Sequence, residues 1–250
     1  MKTELGESLN RSQTEQEIDQ QLFALRDQIV PAMGPHWNLH SNLFVKRITL
    51  SRILYFQRLY QLQLDVPGVI CEFGVQWGAS LALLSNLRAI MEPFNYSRKL
   101  IGFDTFEGFA DVHAKDGIAV AKGDYASMPG YEQQLGEILA LHEGLAPIPH
   151  IRKFELVKGD ASQTTPVWLE QNPHAIISMA IFDMDVYQPT RDVLQAILPR
   201  LVKGSVLVFD ELNCPRFPGE TLAVMEVLGL NRLRLQRDPH QPYCAWAVWE

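Results

Sequence analysis

The sequence predicts an α/β fold: a doubly wound, mostly parallel sheet, closed by an antiparallel edge and preceded by a helical extension. Three observations carry this. From about residue 68, short apolar runs alternate with stretches of helical periodicity, as parallel strands linked by helices require. Before that, LFVKRITLSRILYFQRLYQLQ at 43–63 spaces its apolar residues as a helix does. At the end, RLRLQRD and CAWAVWE read as two strands joined by a turn at PHQP.

Taken in order, residues 1–15 are polar and read as mobile, and 16–33 as a helix ending near Pro31 and Gly34. The 43–63 helix carries an apolar stripe that suits burial in a core or between subunits, so a homodimer is expected. After DVPG come a strand at 68–74, a helix at 78–92 and a strand at 99–104. The stretch 105–130, rich in Gly, Asp and small residues, is a loop, and loops this long are usually functional. A lid over a substrate is the expectation. Then follow a helix at 130–143, a strand at 153–160, a helix at 163–171 and a strand at 175–183. A helix at 189–202, a strand at 204–211 and a helix at 219–228 precede the closing pair. The division expected is a helical extension over 1–64 and the sheet domain over 65–250.

The 250 residues suffice for a sizeable core, and 47% hydrophobic with 20% charged residues is a globular composition. A net charge of −7 without a Lys/Arg stripe argues against nucleic acid as partner. The 3 cysteines are too scattered for a disulfide framework or a zinc knuckle. No apolar run approaches a membrane span, and the N-terminus lacks the apolar core of a signal peptide. A cytoplasmic protein is expected.

In sheets of this class ligands sit beyond the carboxyl ends of the strands, so the residues there matter most. The first strand ends in CEFGVQWGAS, where Glu72 is an acid in an apolar run, Gly74 and Gly78 allow tight turns, and Ser80 opens a helix. The spacing E-x-G-x-x-x-G is not the dinucleotide fingerprint, and the acid suits a ligand with cationic groups rather than a pyrophosphate. The second strand ends in IGFDTFEGF, and Asp104 is placed to accept from ribose hydroxyls. The third ends in VKGDASQT, with Asp160 in reach of an adenine amino group. The fourth and fifth end in FDMDVYQPT and VLVFDELN and offer Asp183, Asp185, Asp210 and Glu211. Neighbouring strands lie about 4.8 Å apart, so carboxylates on adjacent ends crowd one another and call for a cation or protons. All-oxygen donors suit Mg²⁺. FDMDV also fits the haloacid-dehalogenase nucleophile motif, but that motif belongs on the first strand of its domain, and here three strands precede it.

As a set and in this order, CEFGVQWGAS, IGFDTFEGF, FELVKGDASQT, FDMDVYQPT and VFDELNCPRFPGET resemble the class I S-adenosylmethionine-dependent methyltransferases. They are most similar to the macrocin O-methyltransferase (TylF-type) family, over roughly residues 65–250. The resemblance implies a Rossmann-like methyltransferase fold and a Mg²⁺-dependent transfer to a hydroxyl of a small molecule, typically a sugar or glycosylated natural product. It implies that Glu72, Gly74, Gly78 and Ser80 hold the methionine end of the cofactor. Asp104 would bind the ribose, and Asp160, Ala161 and Ser162 the adenine. Asp183 would lie at the cofactor and, with Asp210 and Glu211, hold Mg²⁺; Glu211 stands where family members often have Asp. A general base is needed, for which His113 in the long loop and Asp185 are the candidates. Transfer to nitrogen or carbon, or an NAD-dependent oxidoreductase on a similar sheet, are the alternatives.

Overall fold

The computed structural model describes residues 12–118, 120–241 and 243–250, and its apolar runs pair into one seven-stranded sheet. Strands β1 (Val69–Phe73), β2 (Leu100–Asp104), β3 (Phe154–Lys158), β4 (Ile177–Phe182) and β5 (Leu201–Phe209) run parallel. β7 (Ala245–Val248) lies antiparallel between β5 and the short β6 (Gln236–Arg237). The order is β3-β2-β1-β4-β5-β7-β6. The chain winds outward from β1 to β3 and then crosses back to start β4 on the other side of β1. Ligand sites form where the order reverses in this way.

Alternation along each strand builds two cores. β1 sends Ile70 into one and Cys71 with Phe73 into the other. β4 is buried along its whole length, which is why it reads as an unbroken apolar run. At the last register before the loops, Phe103, Phe73, Phe182 and Phe209 stack across four neighbouring strands, with ring centroids 4.9, 5.4 and 5.3 Å apart. Each offset pair adds about 0.5–1.5 kcal/mol beyond area burial. This ladder is a stiff floor under the loops that follow.

The helices are α1 (Gln13–Met33), α2 (Arg47–Leu62), α3 (Ala79–Met91), α4 (Tyr131–Gly144), α5 (Ala161–Gln171), α6 (Tyr187–Ile197) and α7 (Pro218–Val227). Two differences from the expected pattern have plain causes. α6 stops at Ile197 rather than 202, because Pro199 cannot carry the backbone bonding of an α-helix onward and Leu201 already pairs with Ile177 in the sheet. α1 starts inside the stretch read as mobile. Ser12 and Glu15 form a capping box, with the Ser12 N–H donating to Glu15 at 2.8 Å and the Glu15 N–H to Ser12 at 3.2 Å. Residues 1–11 of that stretch lie outside the described residues, as does Pro242 of the PHQP turn.

Packing divides the chain into Met1–Arg52 and Ile53–Glu250. In the first, α1 and the 3₁₀ segment Gly34–Phe44 hold no buried residue, and Lys46 pairs with Asp19 at 3.0 Å. The second holds the sheet, and the buried Tyr55, Phe56, Leu59 and Tyr60 of α2 belong to its core. Among the described residues no helix is long and apolar enough to cross a membrane.

Candidate active site

The tail of β1 is pressed between its neighbours. The Gly74 N–H donates to the Phe103 carbonyl at 2.9 Å, and the Asp183 N–H to the Phe73 carbonyl at 2.8 Å. Gly74 has φ +92°, and a Cβ there would stand 1.8 Å from the Asp183 carbonyl oxygen. Glycine is obligatory at this position. Glu72, two residues earlier, is 2% exposed within the strand. Gly78 (φ +74°) starts α3 with no side-chain cap, and Ser80 lies in the first turn. Asp104, at the end of β2, holds the turn between β1 and α3. Its Oδ2 accepts from the Val75 and Gln76 N–H groups at 2.6 and 2.8 Å, and its Oδ1 from the Phe106 N–H at 2.5 Å. One lone pair of Oδ1 is left for a ligand hydroxyl.

The β3 end is tied to the β2 end by the Gly159 N–H, 2.9 Å from the Asp104 carbonyl. Asp160 caps α5, accepting from the Ser162 N–H at 2.9 Å. Ala161 is buried, and the buried Ser162 hydroxyl has no hydrogen-bond partner. An orphaned hydroxyl here fits the edge of a nucleobase.

At the ends of β4 and β5 the acids gather, and Glu220 at the start of α7 joins them. Glu220 is fully buried. Burial pushes its carboxyl well above the ordinary range; the Glu211 N–H, donating at 3.0 Å, opposes this, while the charges of Asp185, Asp210 and Asp183 reinforce it. Two of the cysteines serve the same end of β5. The Cys244 thiol donates to Asp210 at 3.1 Å, and the Cys214 thiol bonds Glu211, with burial and that bond pushing it up to about 11. Among the described residues no three of these side chains form a ligand cluster for a metal ion. Their all-oxygen chemistry and mutual repulsion fit a hard cation. Asp185 sits at the centre of a one-residue turn, with φ +62° and the Val186 N–H donating to the Met184 carbonyl at 2.7 Å. Turns of this hand are rare and strained.

The loop 105–130 folds on itself. The Phe109 N–H reaches the Asp124 carbonyl at 3.1 Å, and the Gly123 N–H the Phe109 carbonyl at 3.0 Å. It is pinned by Asp116, 1% exposed, which accepts from the His113 N–H at 2.7 Å and the Tyr187 N–H at 2.5 Å. The second bond gives an anion to the open N-terminus of α6. His113 stays at this anchor: its ring lies 4.9 Å from that of Tyr187, and its Nδ1 accepts the Lys115 N–H at 3.1 Å. In the neutral ring that bond leaves the proton on Nε2. Tyr125, half-buried with φ +65°, faces the acids. Burial and then the Asp185 charge push its phenol up to about 12, with Glu211 and Asp124 adding and Arg216 opposing. Asp116→Ala would leave two N–H groups unbonded. The expected cost is about 1–3 kcal/mol in denaturant unfolding, with faster proteolysis confined to 105–130.

The mouth of the sheet therefore brings together Gly74, Asp104, Asp183, Asp185, Asp210 and Glu211, with Asp160 and Ser162 on the β3 side. It leaves His113 at the loop anchor. Asp116, Tyr125, Glu220 and the two thiols are absent from the sequence reading. Only Asp116 had a local signal, as the last residue of a capping box begun by His113. Of the non-glycine residues with positive φ among those described, Gln76, Phe106, Tyr125, Asp185 and Asn213 all lie in segments that leave the carboxyl ends of strands. Such strain collects at sites of function.

Comparison with known proteins gives a consistent picture. The family described as "Methyltransferase domain" matches residues 71–212. The crystal structure of the calicheamicin methyltransferase CalS11 superposes with a TM-score of 0.89 and 38% identity, covering 96% of this chain and 94% of that one. An apo structure of CalS11, described as a TDP-rhamnose 3'-O-methyltransferase of calicheamicin biosynthesis, gives 0.85 and 37%, covering 96% of each. The 8-demethyl-8-(2,3-dimethoxy-alpha-L-rhamnosyl)-tetracenomycin-C 4'-O-methyltransferase of Streptomyces olivaceus is 27% identical over 157 residues, 58% of this chain. The match spans about half, 53%, of that relative's length.

Proposed function

Since this chain belongs to the methyltransferase-domain family, we propose that it is an S-adenosylmethionine-dependent O-methyltransferase acting on a sugar hydroxyl in natural-product assembly. The observation that carries this is the mouth of the sheet, where a glycine-hinged strand end and the Asp104 and Asp160 ends of β2 and β3 adjoin the carboxylates of β4 and β5. The sugar acceptor is supported by the relatives, whose names describe methylation of rhamnose, nucleotide-bound in one and attached to an aglycone in the other. The motif set supports placing the chain nearest the macrocin (TylF-type) enzymes.

Position at the strand ends supports the proposed residue roles. Glu72 and the open start of α3 at Gly78 and Ser80 would hold the amino-acid end of S-adenosylmethionine. Asp104 offers its remaining lone pair to the ribose, and Asp160, Ala161 and Ser162 line the adenine. Asp183, Asp210 and Glu211 would hold Mg²⁺, which when bound lowers the pKa of a hydroxyl beside it. Asp185, raised on its strained turn, takes the hydroxyl proton as the oxygen accepts the methyl group. His113 is the weaker choice, because its Nδ1 already serves Lys115. The folded loop 105–130 walls the acceptor from water. The chain is proposed to act as a homodimer, supported by Phe23, Trp37, Leu39 and Leu43, each more than half exposed in the first unit.

Titration calorimetry tests the reading. S-adenosylmethionine and S-adenosylhomocysteine should bind wild type at micromolar levels. Mg²⁺ binding should be present in wild type, absent after EDTA without added metal, and lost in Asp210→Ala. If neither ligand binds wild type, the cofactor assignment fails.

A further inference from the structure

Arg216, in the segment between β5 and α7, is a cation placed among the acids that surround Tyr125. Its Nε and Nη1 atoms are buried and have no hydrogen-bond partner. Buried guanidinium donors are nearly always bonded, and an unbonded pair needs an explanation. The acids nearby do not supply it. Asp185 and Glu211 act on the Tyr125 hydroxyl together with Arg216, yet neither bonds these two N–H groups. Phe217 holds the arrangement in place: the Arg216 guanidinium lies 5.5 Å from its ring on one side, and the Tyr125 ring lies 6.3 Å away. Phe217 itself is 5% exposed, so the pair rests on a fixed support.

We propose that Arg216, with Tyr125 beside it, is the acceptor-recognition subsite of the enzyme and binds the diphosphate of a nucleotide-linked sugar. The inference rests on the methyltransferase reading and specifies its acceptor. Guanidinium geometry favours the diphosphate. Nε and Nη1 belong to different edges of the plane, so one flat carboxylate cannot take both, whereas two linked phosphate groups can. The phenol of Tyr125 stays protonated and donates to a third oxygen. The reaction then falls before glycosyl transfer, and a glycosyltransferase-class reaction consumes its product.

The test uses the full chain loaded with S-adenosylhomocysteine. Inorganic pyrophosphate, uridine and thymidine diphosphates and methyl glucuronide are titrated into wild type, Arg216→Gln and Arg216→Lys. The expected result is nucleoside diphosphate binding in wild type, weakened about 30-fold or more in Arg216→Gln and partly restored in Arg216→Lys. With nucleoside diphosphate sugars as acceptors, KM should rise in Arg216→Gln while kcat changes far less. Equal diphosphate binding by wild type and Arg216→Gln overturns the proposal. So does Arg216-dependent binding of methyl glucuronide alone, which would mark a carboxylate subsite. S-adenosylhomocysteine binding in the same samples separates the two readings: its loss in wild type fails the methyltransferase assignment, while its retention with an indifferent Arg216 fails only this one. Equal thermal unfolding of the variants shows that the fold is intact.

Discussion

Gly74→Ala is expected to destabilise the protein by upward of about 4 kcal/mol, the exceptional end of single substitutions. Two costs add. The residue has φ +92°, a backbone region that L side chains rarely adopt, and the new Cβ would stand 1.8 Å from the Asp183 carbonyl oxygen. The clash is with backbone of the adjacent strand, so no rotamer change relieves it. Relief means parting β1 from β4 where the Asp183 N–H bonds the Phe73 carbonyl. That would also open the Phe73–Phe182 stack beneath. Soluble yield and the guanidinium midpoint measure the effect. A variant that unfolds at the wild-type midpoint would mean that the two strand ends are not in contact.

Asp185→Asn is expected to lower kcat by about 10²- to 10⁴-fold, the usual worth of a positioned general base. S-adenosylhomocysteine affinity should stay near wild type. The substitution isolates the chemistry well, because asparagine tolerates a left-handed backbone as readily as aspartate does. The strained turn at φ +62° is therefore kept while the proposed proton acceptor is removed. Steady-state kinetics with a sugar acceptor, beside calorimetry of S-adenosylhomocysteine, reads both quantities. A kcat within about threefold of wild type would place the base elsewhere, since that is far below the effect of a lost base.

The sheet was legible because parallel strands buried on both faces leave apolar runs, and β1, β2, β4 and β5 each fall on one. The acids at the strand ends were legible for the same reason: Asp104, Asp183, Asp210 and Glu211 break apolar runs, and a break marks the carboxyl end. Three kinds of feature were not legible. Asp116 reaches the first N–H of α6 across 71 residues of chain, and no periodicity encodes so distant a cap. Glu220 looks like an ordinary acid in the first turn of a helix; only its burial against the strand ends makes it part of the site. Cys214 and Cys244 looked scattered because sequence spacing says nothing about two thiols meeting neighbouring acids at the end of one strand. His113 illustrates the reverse case. Its place in a long loop suggested mobility toward the site, but the loop bonds to itself and keeps the ring on Tyr187.

The five strained backbones around the mouth have an evolutionary consequence. A non-glycine residue in the left-handed region costs roughly 1–2 kcal/mol. Held together, these backbones withhold a sizeable share of the net stability of a domain of this kind, most of it at Gln76, Phe106 and Tyr125, since Asp185 and Asn213 tolerate that region better. The phenylalanine ladder and the two cores must overshoot what folding alone needs by that margin. Drift in the interior is therefore limited by the mouth it supports, and a lineage that changes acceptor by remodelling these loops can do so only as far as its sheet has stability in reserve.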